Sequence, residues 1–340
     1  MIARLVHAWE RRLAAVTTDR VVRPFEWGLD WVPNDRQSIG VPPDTILLDW
    51  VKQIMSDTER FFEVPSNVDY RVNEDTLTFP SAYTSPHQQN NLVHARYFPG
   101  RQSNVRPHNR RAVLLLPHWN AQQEAHVGLC RVLAHLGISV LRLSLPYHDK
   151  RMPPELHRAD YVVSSNVART IQVCRQAVLD ARCAIKWFAG QGYDRIGILG
   201  TSLGSCLSLL TLAHEPLVRI AALNHISPFF ADVVWKGLST AHVRAGLEGS
   251  IDLDLLRTLW LPISPHPYLD RLQEKKVLLV YALYDLSFPV SLSRMLVGEF
   301  ARLGLPYKLA VLPCGHYSTG IPPFSWIDGF ILARFLDREL

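Results

Sequence analysis

The 340-residue sequence lacks any long apolar run and has few cysteines. No segment approaches 18 consecutive apolar residues, so the sequence predicts no membrane span. Charged residues interrupt the N-terminus every few positions, which excludes the apolar core of a secretion signal. The five cysteines are odd in number and form no C-x-x-C pair, which argues against a disulfide scaffold or a structural zinc site. We therefore expect a cytoplasmic protein.

The excess of one sign of charge over the other is also small. The 36 basic and 31 acidic residues leave a net charge of +5, and no Lys/Arg run exceeds two residues. Such a mild excess does not indicate nucleic acid as a partner. The sequence also lacks H-E-x-x-H, G-x-x-x-x-G-K-[ST] and a G-x-G-x-x-G that follows a strand. We accordingly expect no metal, no cofactor and no nucleic acid.

Apolar runs and helical periodicity alternate from about residue 75 onwards. The predicted strands are 76–80, 92–98, 112–116, 138–145, 195–199, 219–226, 277–284 and 307–312. Predicted helices separate the later strands, and the longest, 164–190, has apolar residues at alternating spacings of three and four. This alternation is typical of βαβ units and predicts an α/β fold with a mostly parallel sheet covered by helices on both faces.

Two segments fall outside this alternation. Residues 1–75 carry two predicted helices, about 1–16 and 44–62, joined by a stretch rich in Pro and Trp. We interpret 1–75 as a helical extension packed on the core. Residues 228–274 are too long for a simple connection and contain further helical pieces, so we interpret them as a cap. The core would then comprise 76–227 and 275–340.

One motif carries a specific chemical meaning. Gly200-Thr201-Ser202-Leu203-Gly204 stands between a predicted strand and a predicted helix. A serine in such a sharp turn has strained backbone angles that expose its hydroxyl, and glycines on either side avoid collision with the neighbouring strand and helix. The helix N-terminus also favours developing negative charge. The motif predicts that Ser202 is a nucleophile.

A serine nucleophile in this setting needs an acid and a histidine, in that order along the chain. His316 follows the last predicted strand, where a loop can reach the sheet edge that carries Ser202. Asp285 follows the preceding strand and could orient the imidazole. Asp232, which follows an earlier strand, is the alternative acid.

An oxyanion site requires backbone N–H donors. Leu203, directly after the nucleophile, is one predicted donor. The loop Pro117-His118-Trp119-Asn120 supplies the other, for which we favour the Asn120 N–H and keep Trp119 as the alternative.

Further aromatic and histidine residues are candidates for substrate contact. Loops after parallel strands meet at one sheet edge, which brings Tyr147 and His148 towards Ser202. The same role is considered for His118, Trp119, Trp235, Trp260 and Tyr317. For four of these residues packing is the alternative role: under the loop for His118 and Trp119, and within the cap for Trp235 and Trp260. A local pair with Asp149 is the alternative for His148.

These motifs resemble the α/β-hydrolases over about residues 90–340. Four segments more narrowly resemble the α/β-hydrolase-domain-containing-protein-18 group: 145–151, the helix with Gln176, Asp180, Arg182 and Trp187, the elbow 200–204, and Trp260 with 263–265. The resemblance implies esterase-like acyl transfer and, from the narrower group, acyl-lipid esters. Trp119 stands where the oxyanion loop commonly has Gly, and Ser205 where a Gly often follows the elbow.

The sequence thus predicts a serine hydrolase that cleaves the carboxylic ester of a small molecule or lipid through an acyl-enzyme. Two alternatives stay open: an acyltransferase to an alcohol or amine, and a catalytically silent binding protein with the same fold.

Overall fold

The computed structural model describes residues 2–33, 40–101 and 110–340. Its centre is a nine-stranded sheet with the spatial order β1-β2-β3-β5-β4-β6-β7-β8-β9. The strands are β1 (Arg71–Asn73), β2 (Thr76–Pro80), β3 (Leu92–Phe98), β4 (Arg111–Leu116), β5 (Ile138–Leu143), β6 (Arg195–Thr201), β7 (Val218–Asn224), β8 (Lys276–Ala282) and β9 (Tyr307–Leu312).

The strands from β4 to β9 pair in parallel, whereas β1, β2 and β3 pair antiparallel at one side of the sheet. The register aligns the carboxyl ends of the parallel strands, since Thr201 pairs with Asn224, and Asn224 with Val280. Loops that follow these strands therefore emerge along one edge. The predicted mostly parallel sheet is confirmed.

Helices cover both faces of the sheet. They are α1 (Ile2–Ala14), α2 (Pro43–Ser56), α3 (Thr58–Phe61), α4 (Val127–His135), α5 (Val167–Gly190), α6 (Leu203–His214), α7 (Phe230–Lys236), α8 (Ala241–Leu247), α9 (Leu253–Leu259), α10 (Val290–Arg302) and α11 (Phe324–Glu339). Within the described ranges, no helix has both the length and the apolar character to cross a membrane.

Two apolar cores lie on opposite faces of the sheet. Alternate residues of β4 point to them, with Leu114 in the core under α5 and α6 and Leu115 in the core under α4 and α11. All β5 residues and nearly all of β4 are buried, as expected for strands covered on both sides. The two cores fix the sheet edge on which the functional loops stand.

Some local features differ from the predictions. The helix predicted at 44–62 is divided at Asp57, whose side chain accepts the Arg60 N–H and caps α3. Strand β1 and helix α4 were not predicted, and β1 joins the sheet from within the predicted extension. Three helices, α7 to α9, occupy the region between β7 and β8. The division into extension, core and cap stays a prediction.

Candidate active site

Ser202 occupies a tight turn between β6 and α6. Its backbone angles, φ 57° and ψ −121°, are strained for a residue with a side chain. A Cβ on Gly200 would lie 2.1 Å from the Gly204 carbonyl oxygen, and a Cβ on Gly204 would lie 2.1 Å from the Leu116 carbonyl oxygen. Only glycine therefore fits at either position, which is the physical reason for the motif.

Ser202, His316 and Asp285 form a connected chain of polar contacts. Ser202 Oγ lies 3.3 Å from His316 Nε2, and His316 Nδ1 lies 3.0 Å from Asp285 Oδ2. The other carboxylate oxygen of Asp285 accepts the backbone N–H groups of Ser287 and Phe288 at 2.8 and 2.7 Å. The Phe288 ring stacks on the imidazole of His316. The loop after β8 thus holds the carboxylate, and the carboxylate holds the imidazole.

Asp232, the alternative acid, lies elsewhere. Its carboxylate oxygens pair with Lys236 Nζ at 2.7 Å and with Arg257 Nε at 2.7 Å. These ion pairs join α7 to α9, so the Asp232 carboxylate has a structural role there. Of the two acids considered from the sequence, the structure brings Asp285 to His316.

A second histidine, His225, also contacts Asp285. Its Nδ1 lies 2.8 Å from Asp285 Oδ2, the oxygen that His316 also contacts. The ligand atoms of His225, Asp285 and His316 lie within 4.8 Å of one another, and the short distances among them are those of hydrogen bonds. We therefore interpret the group as an acid–base cluster. Sequence reasoning missed His225 because the predicted strand ran to residue 226, whereas β7 ends at Asn224 and His225 follows it.

The two imidazoles that share the Asp285 carboxylate differ in the direction of their pKa shifts. Burial alone would raise the pKa of Asp285, but the neighbouring His316 and the hydrogen bonds from both histidines hold that pKa below its usual range. Burial opposes charge on His316, yet Asp285 raises its pKa above the ordinary value. Burial and the proximity of His316 lower the pKa of His225. His316 is therefore the ring that gains a proton more readily.

The loop after β4 places its amides differently from the prediction. The Asn120 N–H, favoured as the second oxyanion donor, donates instead to His148 Nε2 at 2.9 Å. His148 is 2 % exposed and donates its Nδ1–H to the Pro146 carbonyl oxygen at 2.9 Å, which fixes the tautomer that accepts from Asn120. Within the described ranges, the N–H groups of Trp119 and Leu203 donate to no protein acceptor. The amide geometry favours Trp119 over Asn120.

A small apolar cavity of about 40 Å³ opens beside Ser202. It extends beneath α7 and is lined by Trp119, Val163, Ser202, Leu203, Cys206, Ser227, Phe229, Phe230, Val233, Val234, Ser239, Thr240 and Phe288. Sequence reasoning named Trp119 but missed Phe229, Phe230 and Val233. The paired phenylalanines after β7 were the available signal, because they stand at the sheet edge that carries Ser202.

A wider cleft, lined by both polar and apolar side chains, meets the cavity at Ser202. Four of the predicted substrate residues, His118, Trp119, His148 and Tyr317, line this cleft. His118 Nδ1 lies 3.1 Å from His126 Nε2. Burial lowers the pKa of His118 to about 3 and that of His126 to about 4. Both rings are therefore neutral near pH 7.

Three predicted substrate residues line neither space. Trp260 is fully buried, donates its Nε1–H to the Val167 carbonyl oxygen of α5 and packs against Phe230 of α7. Tyr147 is also fully buried, with its hydroxyl 3.0 Å from His87 Nδ1. The Trp235 ring lies under the Arg244 guanidinium. Packing, the alternative given for Trp260, is what the structure shows.

A partly buried polar pair lines the cleft. Asn224 Nδ2 donates to Asp328 Oδ2 at 2.8 Å, and both residues line the cleft. Among the described residues, the Oδ1 atoms of both Asn224 and Asp328 are buried without a protein partner. Burial raises the pKa of Asp328 to about 7, although the hydrogen bond from Asn224 opposes this rise. No sequence pattern indicated this pair.

Comparison with known proteins identifies the fold. No protein-family model and no curated protein matches the sequence. Among solved structures, Pyrococcus horikoshii acylaminoacyl peptidase is similar with a TM-score of 0.59 and 14% identity, over 81% of this chain and 42% of that chain. This chain therefore spans less than half of the peptidase.

Two esterases are similar over nearly their full length. Acetyl xylan esterase from Paenibacillus sp. R4 gives a TM-score of 0.58 at 13% identity, over 91% of this chain and 97% of its own. Acetyl xylan esterase 1 from Thermoanaerobacterium sp. JW/SL YS485 gives 0.57 at 14%, over 96% and 98%. At these identities the likeness concerns the fold, and the chain has the α/β-hydrolase fold.

Proposed function

We propose that this protein is a serine hydrolase that cleaves carboxylic esters with an apolar acyl group. One observation carries the proposal: Ser202 Oγ ends a polar chain through His316 to Asp285 and also stands at the mouth of an apolar cavity. This arrangement supports a nucleophile, its base and an acyl site at one point. The cytoplasmic location and the narrower family resemblance stay predictions.

The proposed reaction uses the chain of contacts from Ser202 through His316 to Asp285. Ser202 Oγ attacks the ester carbonyl carbon while His316 Nε2 takes its proton, and Asp285 stabilises the resulting imidazolium. The N–H groups of Leu203 and Trp119 stabilise the oxyanion. His316 returns the proton to the leaving alcohol, which leaves Ser202 acylated. Water then attacks the acyl-enzyme by the same route and releases the acid.

The two spaces beside Ser202 suggest where each half of the ester binds. The cavity beneath α7 is lined mostly by apolar side chains and suits the acyl group. The cleft carries polar side chains, including His118 and Asp328, and suits the alcohol. A substrate would then place its carbonyl carbon at the junction, next to the nucleophile.

The test is hydrolysis of p-nitrophenyl esters of increasing acyl length, together with fluorophosphonate labelling. We expect turnover and labelling at Ser202, with both lost in Ser202→Ala. Ser208→Ala is the matched control on the same helix, because the Ser208 hydroxyl is buried without a protein partner in the described chain. Undiminished turnover in Ser202→Ala would reject the mechanism.

Two further outcomes separate the alternatives. Absence of labelling in a folded protein would favour a silent binding protein over an enzyme. Adding a competing alcohol to the ester assay tests for acyl transfer: a transfer product that displaces the free acid would point to an acyltransferase. Hydrolysis alone at every alcohol concentration supports the proposed function.

A further inference from the structure

Helix α1 brings a buried carboxylate to the loop that carries His316. Glu10 is fully buried, although it stands in a helix with an exposed outer face. Its Oε2 accepts the Tyr317 N–H at 2.8 Å, and its Oε1 accepts the Ser318 N–H at 2.9 Å and the Ser318 Oγ–H at 2.6 Å. Three donors from the residues directly after His316 thus converge on one side chain.

This donor set specifies a carboxylate. Each Glu10 oxygen faces at least one N–H, so both oxygens must accept. Glutamine offers one oxygen and one NH2 group, and its NH2 would point at a backbone N–H. A buried N–H left without an acceptor destabilises the arrangement. Hydrogen bonds to a charged acceptor are also stronger than those to a neutral one.

Gly315 on the same loop fits closely against Glu10. A Cβ at Gly315 would lie 2.3 Å from Glu10 Cδ, 2.4 Å from Cγ and 2.6 Å from Oε1. Such distances are too short for any side chain unless the Glu10 side chain shifts, which would disturb its hydrogen bonds to Tyr317 and Ser318. The loop is therefore shaped around the Glu10 carboxylate on both sides of His316.

We propose that Glu10 is a positioning residue that fixes the His316 loop, so that docking of α1 completes the active site. The inference rests on the proposed function, because the value of a fixed imidazole lies in its alignment with Ser202 Oγ. Misplacement of a catalytic group by about 1 Å can cost about 10²-fold in rate. Displacement of α1 would release the His316 loop without moving Ser202, and the position of α1 would thereby control activity.

The charge of Glu10 acts on His316 as well. The groups that act electrostatically on the imidazole are Asp285 on the loop after β8, His225 after β7, His118 after β4 and Glu10 on α1. Burial disfavours the imidazolium, whereas Asp285 and, to a smaller extent, Glu10 raise the pKa of His316. Removing the Glu10 charge should therefore lower that pKa.

The first experiment compares Glu10→Gln with Glu124→Gln in the full chain. Glu124 is an exposed glutamate paired with Arg96 and serves as the matched control. We expect Glu10→Gln to lower kcat about tenfold or more with KM within about twofold, and to move the acid limb of kcat/KM to lower pH. Glu124→Gln should change neither. A Glu10→Gln enzyme with normal kcat and an unmoved limb would overturn the proposal.

The second experiment tests the contact with a double-mutant cycle. Gly315→Ala should lower kcat and thermal stability strongly when Glu10 is present. In a Glu10→Ala background the added methyl has space, so the further loss from Gly315→Ala should be several-fold smaller. Additive losses would show that Glu10 and Gly315 act independently, and would overturn the inference.

A third measurement separates this inference from the proposed function. The His316 titration can be followed by NMR of labelled histidine and assigned with His316→Asn. Inactivity and absence of labelling in the wild type would reject the esterase. Under that outcome, a lower His316 pKa in Glu10→Gln and a non-additive stability cycle would still support loop positioning by Glu10, whereas an unchanged pKa with additive stability losses would reject it.

Discussion

His225 and His316 share one oxygen of Asp285, and the centroids of their rings lie 4.3 Å apart. Two imidazolium ions at this distance would repel each other, and one carboxylate can balance one positive charge. The pKa directions agree with this: that of His316 is raised and that of His225 is lowered. His225 thus acts as a neutral donor that steadies the acid of the site.

The first prediction concerns that acid. Asp285→Asn keeps the size of the side chain but removes the charge that stabilises imidazolium at His316, and it disturbs the tautomer of the ring. We expect kcat to fall by about 10⁴-fold, as for the equivalent change in serine proteases. Steady-state kinetics on a p-nitrophenyl ester provides the measurement.

Asp232→Asn is the control for this prediction. Asp232 pairs with Lys236 and Arg257 away from His316, so its loss should lower stability while kcat stays within a few-fold of wild type. A larger loss of kcat in Asp232→Asn than in Asp285→Asn would contradict the assignment of the acid.

The second prediction concerns pH. His316 must be neutral to accept the Ser202 proton, and its pKa is raised above the ordinary value of about 6.5. The profile of kcat/KM should therefore fall as the pH drops through a pKa above that value. Replacing His225 with Leu removes one donor from Asp285, which leaves more negative charge to attract the proton on His316. The acid limb should then move to still higher pH.

His225→Asn provides the matched variant, because its side-chain NH2 can take the place of the Nδ1–H. Its acid limb should stay close to that of the wild type. If both variants shift the limb equally, the hydrogen bond to Asp285 is not the cause.

The third prediction concerns acyl selectivity. Val233 lines the apolar cavity, so Val233→Phe should fill part of it. We expect kcat/KM for long-chain p-nitrophenyl esters to fall about tenfold or more, with the acetyl ester much less affected, because each buried methylene carries about 1 kcal/mol.

Trp235→Phe serves as the comparison. Trp235 lies under Arg244 and outside the cavity, so the chain-length profile should not change. A profile altered by Trp235→Phe and not by Val233→Phe would place the acyl group elsewhere.

The fourth prediction concerns stability. The pKa of Asp328 is about 7 in the folded protein and about 4 in an unfolded chain. Between these values the folded state binds the proton more tightly, so the free energy of unfolding falls as the pH rises from 4 to 7. Asp328→Asn removes this loss and should stabilise the protein by on the order of 3 kcal/mol at pH 8, with little change near pH 4.

Thermal or urea unfolding at both pH values tests this, with Asp337→Asn as the control on the same helix. Asp337 is half exposed and pairs with Arg111, so its replacement should destabilise slightly at both pH values. Equal effects of Asp328→Asn at pH 4 and pH 8 would contradict the linkage.

Local sequence patterns predicted the parts of the site that depend on residues close together in the sequence. The turn at Ser202 is set by glycines two residues away on each side. His316 and Asp285 lie within four residues of the ends of β9 and β8, so strand order sufficed to predict the contact. The fold class followed from the same alternation of strands and helices.

Other parts depend on contacts between distant segments. The backbone N–H of Asn120 donates a hydrogen bond to His148, 28 residues away, and no pattern in the loop itself could indicate this contact. Trp260 matched a substrate-binding aromatic by type, yet it packs behind Phe230, which lines the cavity instead. Glu10 has no local signal at all, because its helix reads as an ordinary amphipathic segment.

The contact between Glu10 and Ser318 spans 308 positions of the chain. During synthesis, α1 is made before β8, β9 and the His316 loop, so its carboxylate finds the three donors only after those segments have been made. A nascent chain with a finished elbow at Ser202 would therefore lack an aligned base. We therefore expect the base to be aligned only once the His316 loop has folded against α1.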